Sequence, residues 1–503
     1  MKRFTAPLAA LATLAVLAVF AMLCAMRTDG HWVYTLDDPY IHLAVAKNFA
    51  RHGVWGLAPD THTFCSSSPL WTLLLAGCMK IFGFREWIPG VLNMLCAALV
   101  MWRCDRVMER AGLAAFPRLA AGAAILFLAP LTVVASTGME HCLHILLALC
   151  LLTSARAAAL AVFSFLAVAA RFESLAVVVP LAAALFLEKR RKTAAAVLAC
   201  GFAPVLLHGF YALSRGGFFL PNSVLLKGRL DLSMKGIFTA YTGVSLRSVH
   251  VHILCVLLLV TAGFARAGNA ARRFALVLSA ACLAHLTFAE CGHFYRYEIY
   301  LVVPAMLALA AAWLKPGCLA SLRMEAREPW RLAARAGLAL ALCVPLVLRG
   351  VWANTRVTRC SGNIYGQQFT VARLFRAMPG TPPVAVNDLG AFSWFCANPV
   401  LDLWGLGTTE VAGLKRRGAY DAEAVARLLD GHRAAYIAVF EAWFPRSQIP
   451  PRYLSVARLT ISGNIACTED TVRLYADGAG RAEVLRETLA ALPLPRGVSV
   501  AFE

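Results

Sequence analysis

The chain opens on a long apolar run, LAALATLAVLAVFAMLCAM at residues 8–26. A helix needs about 20 apolar residues to cross the hydrocarbon core of a bilayer, so this run predicts a transmembrane helix. A cleaved secretory signal peptide is the alternative, since Lys2 and Arg3 precede the run. The run is long for that role and lacks a convincing small-residue cleavage site, which favours a retained span.

Apolar runs of this kind recur as far as Leu348 and set the composition of the chain. Hydrophobic residues make up 60% of the 503 positions and charged residues 15%, against about a half and a quarter in soluble proteins. After Arg349 polar and apolar residues are mixed. We therefore expect an all-α polytopic membrane protein of about 11 transmembrane helices over residues 1–349, followed by an extracytoplasmic α/β domain over residues 350–503.

Basic residues in the short loops predict the orientation. The net charge of +20 is no nucleic-acid footprint, because most of it lies in these loops. Lys2 and Arg3 place the N-terminus in the cytoplasm, so the first loop, residues 27–87, lies outside. The short run Leu70–Phe84 must lie along the outer interface without crossing if later basic loops, such as Glu188–Lys192, are to be cytoplasmic.

Two adjacent carboxylates follow the first span, Asp37 and Asp38 in YTLDDPY at residues 34–40. A solvated helix N-cap is one reading, since Asp before Pro39 is a common helix start. A functional carboxylate pair is the other. The next segment, Ile41–Arg51, has helical periodicity and predicts an interfacial amphipathic helix.

Further charged residues lie at predicted outer turns. Glu140 ends STGME at residues 136–140, and Arg171 and Glu173 occupy another turn. Charged groups at membrane depth are functional candidates by default. The alternative is structural pairing of Arg171 with Glu173 or with Glu140.

Cations also lie on the predicted outer side, namely Lys227, Arg229 and Arg296. They run against the orientation rule, so we expect an anion there, and a phosphate at the membrane surface fits both residue types. Binding of lipid head groups in general is the alternative. A carboxylate to accept a hydroxyl proton and cations to stabilise a departing phosphate are what glycosyl transfer from a lipid phosphate requires.

The residues after the last span have a mixed pattern. It predicts a helix over Ser361–Met378 and short strands at Pro383–Val386, Ala434–Val439, Leu454–Ala457 and Val472–Tyr475. Asp388 and Asp402 follow predicted strands next to glycines, where they either reach an active-site cavity or serve the turns.

The sixteen cysteines lie mostly in apolar runs and show no metal-ligand spacing. In an extracytoplasmic tail, Cys360, Cys396 and Cys467 could include one disulfide.

In this order, the motifs resemble the GT-C superfamily of polyprenyl-phosphate-sugar-dependent glycosyltransferases, and most closely bacterial relatives of the mycobacterial terminal arabinofuranosyltransferases. The segments that carry the resemblance span nearly the whole chain: Leu36–Ile41, Ser68–Trp71, Ser136–Glu140, Ala170–Glu173, Leu220–Ser223, Tyr295–Tyr297, Val386–Gly390 and Asp402–Leu406. Phe172 stands where the family usually has proline, and Ser223 where it has threonine. These departures put the sugar and the acceptor in question.

The resemblance implies roles for individual residues. Asp37 is the expected general base with Asp38 assisting, and Glu140 orders the acceptor or the base. The expected ligands of the donor phosphate are Lys227, Arg296 and Arg171. The expected lining of the substrate cavity is Tyr40, His42, Asn222, Tyr297 and Asp388.

The resemblance also implies an inverting reaction without an obligatory metal, although Asp37, Asp38 and Glu140 could hold a divalent cation. The expected partners are a polyprenyl-phosphate-linked sugar, a cell-envelope glycan, lipid or protein acceptor, and the bilayer, with no nucleic acid. The expected location is the bacterial cytoplasmic membrane, with the active site and the C-terminal domain outside. A transporter or flippase is the rival function, but the chain lacks the internal repeats and matched broken helices typical of one.

Overall fold

The computed structural model describes residues 5–227, 233–242, 244–245, 247–265, 269–315 and 329–503. Arg229, one of the predicted outer cations, lies outside these residues. Contacts between Cα atoms divide the chain into two compact units. The first comprises residues 1–20, 90–207 and 228–355, and the second comprises residues 21–89, 208–227 and 356–503.

Helices dominate the chain as far as residue 364. In chain order they are α1 (Thr5–Arg27), α2 (Asp38–His52), α3 (Pro69–Phe82), α4 (Ile88–Arg110), α5 (Ala115–Leu128), α6 (Leu131–Ser136), α7 (His141–Leu152), α8 (Ala157–Ala170), α9 (Leu175–Leu187), α10 (Arg191–Ser214), α11 (Asn222–Lys227), α12 (Met234–Thr242), α13 (Val249–Phe264), α14 (Ala270–Phe288), α15 (Ile299–Trp313) and α16 (Pro329–Ile364).

Four helices among the described residues are long and apolar enough to cross a membrane, namely α1, α4, α10 and α14. Shorter apolar helices of 10–17 residues lie at the other predicted runs except the last, which lies within the 36-residue α16. The apolar helices therefore occur where the sequence predicts them, whereas the number of about 11 crossings stays a prediction. The 14-residue α3 occupies the predicted interfacial run; at 1.5 Å per residue it is about 21 Å long, shorter than a hydrocarbon core.

The first unit is helical in its described part. Its core is apolar, with Ile145 and Leu149 of α7, Leu258 of α13, Leu278 of α14 and Leu301 of α15 all buried. These helices are apolar on nearly every face, so neighbouring helices cover one another on several sides.

The second unit contains a six-stranded mixed sheet of order β2-β1-β3-β5-β4-β6. The strands are β1 (Val384–Val386), β2 (Val400–Asp402), β3 (Tyr436–Val439), β4 (Tyr453–Ile461), β5 (Thr471–Asp477) and β6 (Val498–Phe502), and the helices are α17 (Thr370–Ala377), α18 (Gly390–Phe395), α19 (Thr409–Arg416), α20 (Ala422–Gly431) and α21 (Ala479–Ala490). Only β1 pairs in parallel with both of its neighbours, β2 and β3, and the remaining pairs are antiparallel. The residues that follow β1 and β2 therefore emerge at the same edge of the sheet.

The predicted strands correspond to β1, β3, β4 and β5, and the predicted helix corresponds to the end of α16, a π-helical turn at Tyr365–Phe369, and α17. A strand before Asp402 was expected without bounds and corresponds to β2, whereas β6 was not predicted. The contact division also groups residues 21–89 and 208–227 with residues 356–503. The predicted boundary between residues 349 and 350 separates a transmembrane module from an extracytoplasmic domain. That boundary stays a prediction.

The disulfide considered for the tail is not formed, since Cys360, Cys396 and Cys467 are all free thiols. The Cys396 thiol donates to the carbonyl of Ala372 at 3.0 Å, and the Cys467 thiol donates to Oε1 of Gln368 at 3.4 Å. Neither of these two hydrogen bonds joins two cysteines.

Candidate active site

Asp37 lies directly before α2 and bonds to a distant segment of the second unit. Its carboxyl oxygens accept the backbone N–H of Gly390 at 2.5 Å and of Ala391 at 2.7 Å. These are the first two residues of α18, whose N-terminal N–H groups would otherwise lack partners. Asp37 is 6% exposed and makes no side-chain cap bond to its own helix. Asp37 therefore occupies the N-cap position of α2, but it is neither solvated nor bonded to that helix through its side chain.

The approach of the two segments is close enough to require glycine at position 390. A Cβ atom there would lie 2.1 Å from the carbonyl oxygen of Asp37 and 2.5 Å from its Oδ2. The carbonyl oxygen cannot move aside without shifting the start of α2. Gly390 therefore holds the first loop and the sheet domain together through direct backbone contact.

Asp388 brings a second carboxyl group to Asp37. It follows β1, whose end is fixed by a hydrogen bond from the N–H of Phe440 to Oδ1 of Asn387 at 2.8 Å. The carboxyl groups of Asp37 and Asp388 share a hydrogen bond, and Nε2 of Gln368 donates to Oδ2 of Asp388 at 2.8 Å. Asp388 is only half-buried.

Burial is the main cause of the raised pKa of both carboxyl groups. The charge of Asp388 raises the pKa of Asp37 further, whereas the N–H groups of Gly390 and Ala391 act in the opposite direction. Two carboxyl groups in one site cannot both ionise easily. The pair therefore holds a proton at a higher pH than an ordinary aspartate would.

Other charged groups surround the pair. Asp38, half-buried at the first residue of α2, raises the pKa of Asp388, and Lys227 at the end of α11 lowers it. Four residues of the predicted set, Asp37, Asp38, Asp388 and Lys227, thus meet in the second unit. The sequence missed Gln368, whose position on a helix carries no motif that would mark it.

The other residues predicted to line the cavity in this unit are buried. The hydroxyl of Tyr40 accepts the N–H of Tyr34 at 3.3 Å. Nδ1 of His42 lies 3.3 Å from the hydroxyl of Ser66. Nδ2 of Asn222 donates to the carbonyl of Leu406 at 3.1 Å. These bonds hold the walls of the unit together, and contact of these side chains with a substrate stays a prediction.

Asp402 shows the turn chemistry that the sequence left open. Its carboxyl oxygens accept the N–H groups of Trp404 at 2.7 Å and of Gly407 at 2.6 Å. Burial raises the pKa of Asp402 to about 6. Both carboxyl oxygens bond within the turn, so Asp402 organises the loop after β2.

The predicted residues of the first unit form a separate cluster. Arg171 forms ion pairs with both Glu140 and Glu173, and Glu140 is fully buried. The structural pairing considered for Arg171 is therefore confirmed. The guanidinium carbons of Arg171 and Arg296 lie 5.6 and 5.3 Å from the ring centre of Tyr297.

A second buried ion cluster in this unit was missed by the sequence. Glu298 pairs with Arg349 and with Nε2 of His250, the latter at 3.1 Å. Its Oε2 also accepts the N–H of Gly292 at 2.8 Å. The sequence could have indicated this cluster through Glu298, because an acid directly before an apolar helix, here α15, needs a partner.

Among the described residues, no group of three or more His, Cys, Asp or Glu side chains is placed to hold a metal ion. The reaction without an obligatory metal stays a prediction.

The architecture is similar to that of a protein of known structure, ArnT. The crystal structure of ArnT from Cupriavidus metallidurans bound to undecaprenyl phosphate is similar with a TM-score of 0.52 at 12% identity, over 93% of this chain and 98% of that chain. The apo structure of the same ArnT gives a TM-score of 0.48 at 13% identity, with the same coverage. Residues 362–475 match a family described as a domain of unknown function, DUF8728. No curated protein matches the chain. The chain therefore has the fold of ArnT.

Proposed function

We propose that this protein transfers a sugar from a polyprenyl-phosphate carrier to a hydroxyl group of a cell-envelope glycan, lipid or protein, with Asp37 as the general base. The observation that carries the proposal is the environment of Asp37. Its carboxyl group is fixed by two backbone N–H groups and contacts a second carboxyl group, in a fold shared with ArnT. A base needs a fixed position and a pKa near the working pH, and this environment supports both.

The reaction follows from these groups. The acceptor oxygen attacks the anomeric carbon while its proton passes to the Asp37 carboxylate. The bond from that carbon to the phosphate oxygen breaks, and the electron pair leaves with the polyprenyl phosphate. Attack opposite the leaving group inverts the anomeric centre. The growing negative charge on the phosphate requires a cation, because charge that develops in a transition state is stabilised best by groups already in position.

Lys227 is the better-supported cation. It belongs to the same unit as Asp37 and lies close enough to Asp388 to favour the ionised form of that acid. Arg296 remains the candidate of the first unit. Arg171 is weaker, because the carboxylates of Glu140 and Glu173 already balance its charge.

The donor class is supported by the undecaprenyl phosphate bound to ArnT. We further propose that the active site and the C-terminal domain face the extracytoplasmic side of a bacterial cytoplasmic membrane, in accord with the basic loops.

A transfer assay tests the proposal directly. The purified protein in nanodiscs is incubated with a set of polyprenyl-phosphate sugars and envelope extracts, and free polyprenyl phosphate and glycosylated product are measured. The proposal expects both to appear together. Movement of the intact lipid-linked sugar across a proteoliposome membrane, without release of polyprenyl phosphate, would instead identify a flippase.

A further inference from the structure

The Asp37–Asp388 pair joins two acids from opposite ends of the chain. The N–H groups of Gly390 and Ala391 point at both oxygens of Asp37, which favours its ionised form. Asp388 has no such pair of donors, since Gln368 donates a single hydrogen bond to its Oδ2. Burial of Asp37 and the charge of Lys227 near Asp388 act against this order of ionisation. Because both oxygens of Asp37 already accept N–H groups, we place the shared proton on Asp388, which then donates to Asp37.

The two acids also differ in their exposure. Asp37 is buried at 6% exposed, whereas Asp388 is half-buried. A proton that reaches Asp37 can pass along the hydrogen bond to Asp388, whose exposed part is open to water. The arrangement has one end suited to taking a proton and the other suited to releasing it.

We infer that Asp388 is the positioning residue of Asp37: it holds one proton against Asp37 before transfer, and it provides the route by which the acceptor's proton leaves afterwards. The inference rests on the proposed function, in which Asp37 is the base. During the step the acceptor proton moves to Asp37, so both acids are protonated once the sugar has moved. One proton then passes through Asp388 to water, which restores the starting state.

This inference also gives a role to part of the segment that matches the domain of unknown function. Gln368, Asp388 and Gly390 all lie within residues 362–475. They supply the second acid, its amide partner and a backbone donor to Asp37. On this inference, the segment contributes residues to the active site.

Other titratable groups that face the pair must be considered in any pH experiment. Asp38 disfavours and Lys227 favours the ionised form of Asp388. Burial raises the pKa of the Cys467 thiol and of the Tyr40 phenol, so neither group ionises together with the acids.

The test compares Asp388→Asn with Asp402→Asn as a matched control. Both are buried or half-buried aspartates that follow adjacent parallel strands, but only Asp388 contacts Asp37. On this inference the active form has Asp37 ionised and Asp388 protonated, so kcat/KM falls at low pH, where Asp37 gains a proton, and at high pH, where Asp388 loses its proton. Asp388→Asn keeps a neutral donor at every pH, which removes the alkaline limb of kcat/KM.

We expect Asp388→Asn to lower turnover at neutral pH by about tenfold, less than loss of the base itself. Asp402→Asn should leave the alkaline limb in place. Asp388→Glu restores a carboxyl group that can titrate and should bring the alkaline limb back. An alkaline limb that stays unmoved in Asp388→Asn would overturn the inference.

Infrared difference spectroscopy supplies a readout that does not depend on turnover. Asp37, Asp388 and Asp402 all have a raised pKa, so the protonated-carboxyl signal that titrates above the ordinary aspartate pKa of about 3.9 has several components. The component that Asp388→Asn loses should be kept in Asp402→Asn. A signal that Asp388→Asn leaves unchanged would overturn the shared proton. If Asp37→Asn transfers sugar normally, the proposed function fails. If the base is confirmed but the alkaline limb is the same with and without the Asp388 carboxyl group, only this inference fails.

Discussion

Oδ2 of Asp37 accepts a hydrogen bond from the backbone N–H of Gly390, a residue 353 positions later in the chain. The bond joins the first loop to the start of a short helix in the sheet domain. It explains how an acid close to the first apolar helix acquires a fixed position, because backbone N–H groups at a helix start cannot rotate away from it.

Gly390→Ala tests this contact. The new Cβ would meet backbone atoms of Asp37 at 2.1 Å, and overpacking of this kind costs about 1–3 kcal/mol. We expect a lower Tm in thermal unfolding of the purified protein, together with weaker transfer. Gly480→Ala is the control, since a Cβ there meets open space within α21; equal Tm values for the two variants would contradict the close approach.

Lys227→Gln tests the donor phosphate site. Loss of one charge-assisted hydrogen bond should weaken binding of polyprenyl phosphate by about 1.5–3 kcal/mol, or about 10- to 150-fold in Kd. Lys415→Gln removes the same charge from a lysine that packs on Trp404, 3.9 Å from its ring centre, and should leave Kd unchanged. Unchanged affinity in Lys227→Gln would remove that residue from the phosphate site.

Arg171→Gln separates stability from donor binding. The change leaves two carboxylates without their common partner, one of them fully buried, and breaking a buried pair in this way costs about 3–5 kcal/mol. We expect a marked fall in Tm, partly restored by adding Glu140→Gln. A variant that keeps its Tm but loses donor affinity would show that Arg171 binds phosphate after all.

The pKa of Asp402, raised by burial to about 6, predicts a pH dependence of stability. The folded state holds this proton more tightly than the unfolded chain does, so the contribution is present below pH 3.8 and is lost as the pH rises towards 6. Each pKa unit corresponds to about 1.4 kcal/mol. The Tm difference between the unchanged protein and Asp402→Asn should shrink or reverse between pH 4 and pH 7. A constant difference would contradict the raised pKa.

Local patterns predicted the elements better than the contacts. Long apolar runs indicated where the helices lie, because nearly every residue of a helix that crosses a bilayer must be apolar. The three-residue β2 and the edge strand β6 are too short or too exposed to leave an alternating pattern.

In the structure, the predicted site residues fall into two groups, one in each unit. Asp37 and Asp388 were both singled out, yet no pattern in the sequence brings together residues 351 positions apart. The partners of Arg171 were foreseen because Glu173 is two residues away, whereas Glu298 and Arg349 were missed because their pairing depends on helix packing. Contacts of this kind depend on tertiary structure and leave no local periodicity to read.

The rate of sugar transfer by Asp37→Asn tests the central claim most directly. Asparagine keeps the size of the side chain and one of the two acceptors for the N–H groups of Gly390 and Ala391, and it removes the base. Loss of a general base costs about 10²–10⁴-fold in rate. We predict that Asp37→Asn folds, binds polyprenyl phosphate with unchanged affinity and transfers sugar at least about a hundredfold more slowly, with a milder loss in Asp38→Asn. Near-normal transfer by Asp37→Asn, beside an inactive Asp38→Asn, would contradict the assignment of Asp37 as the base.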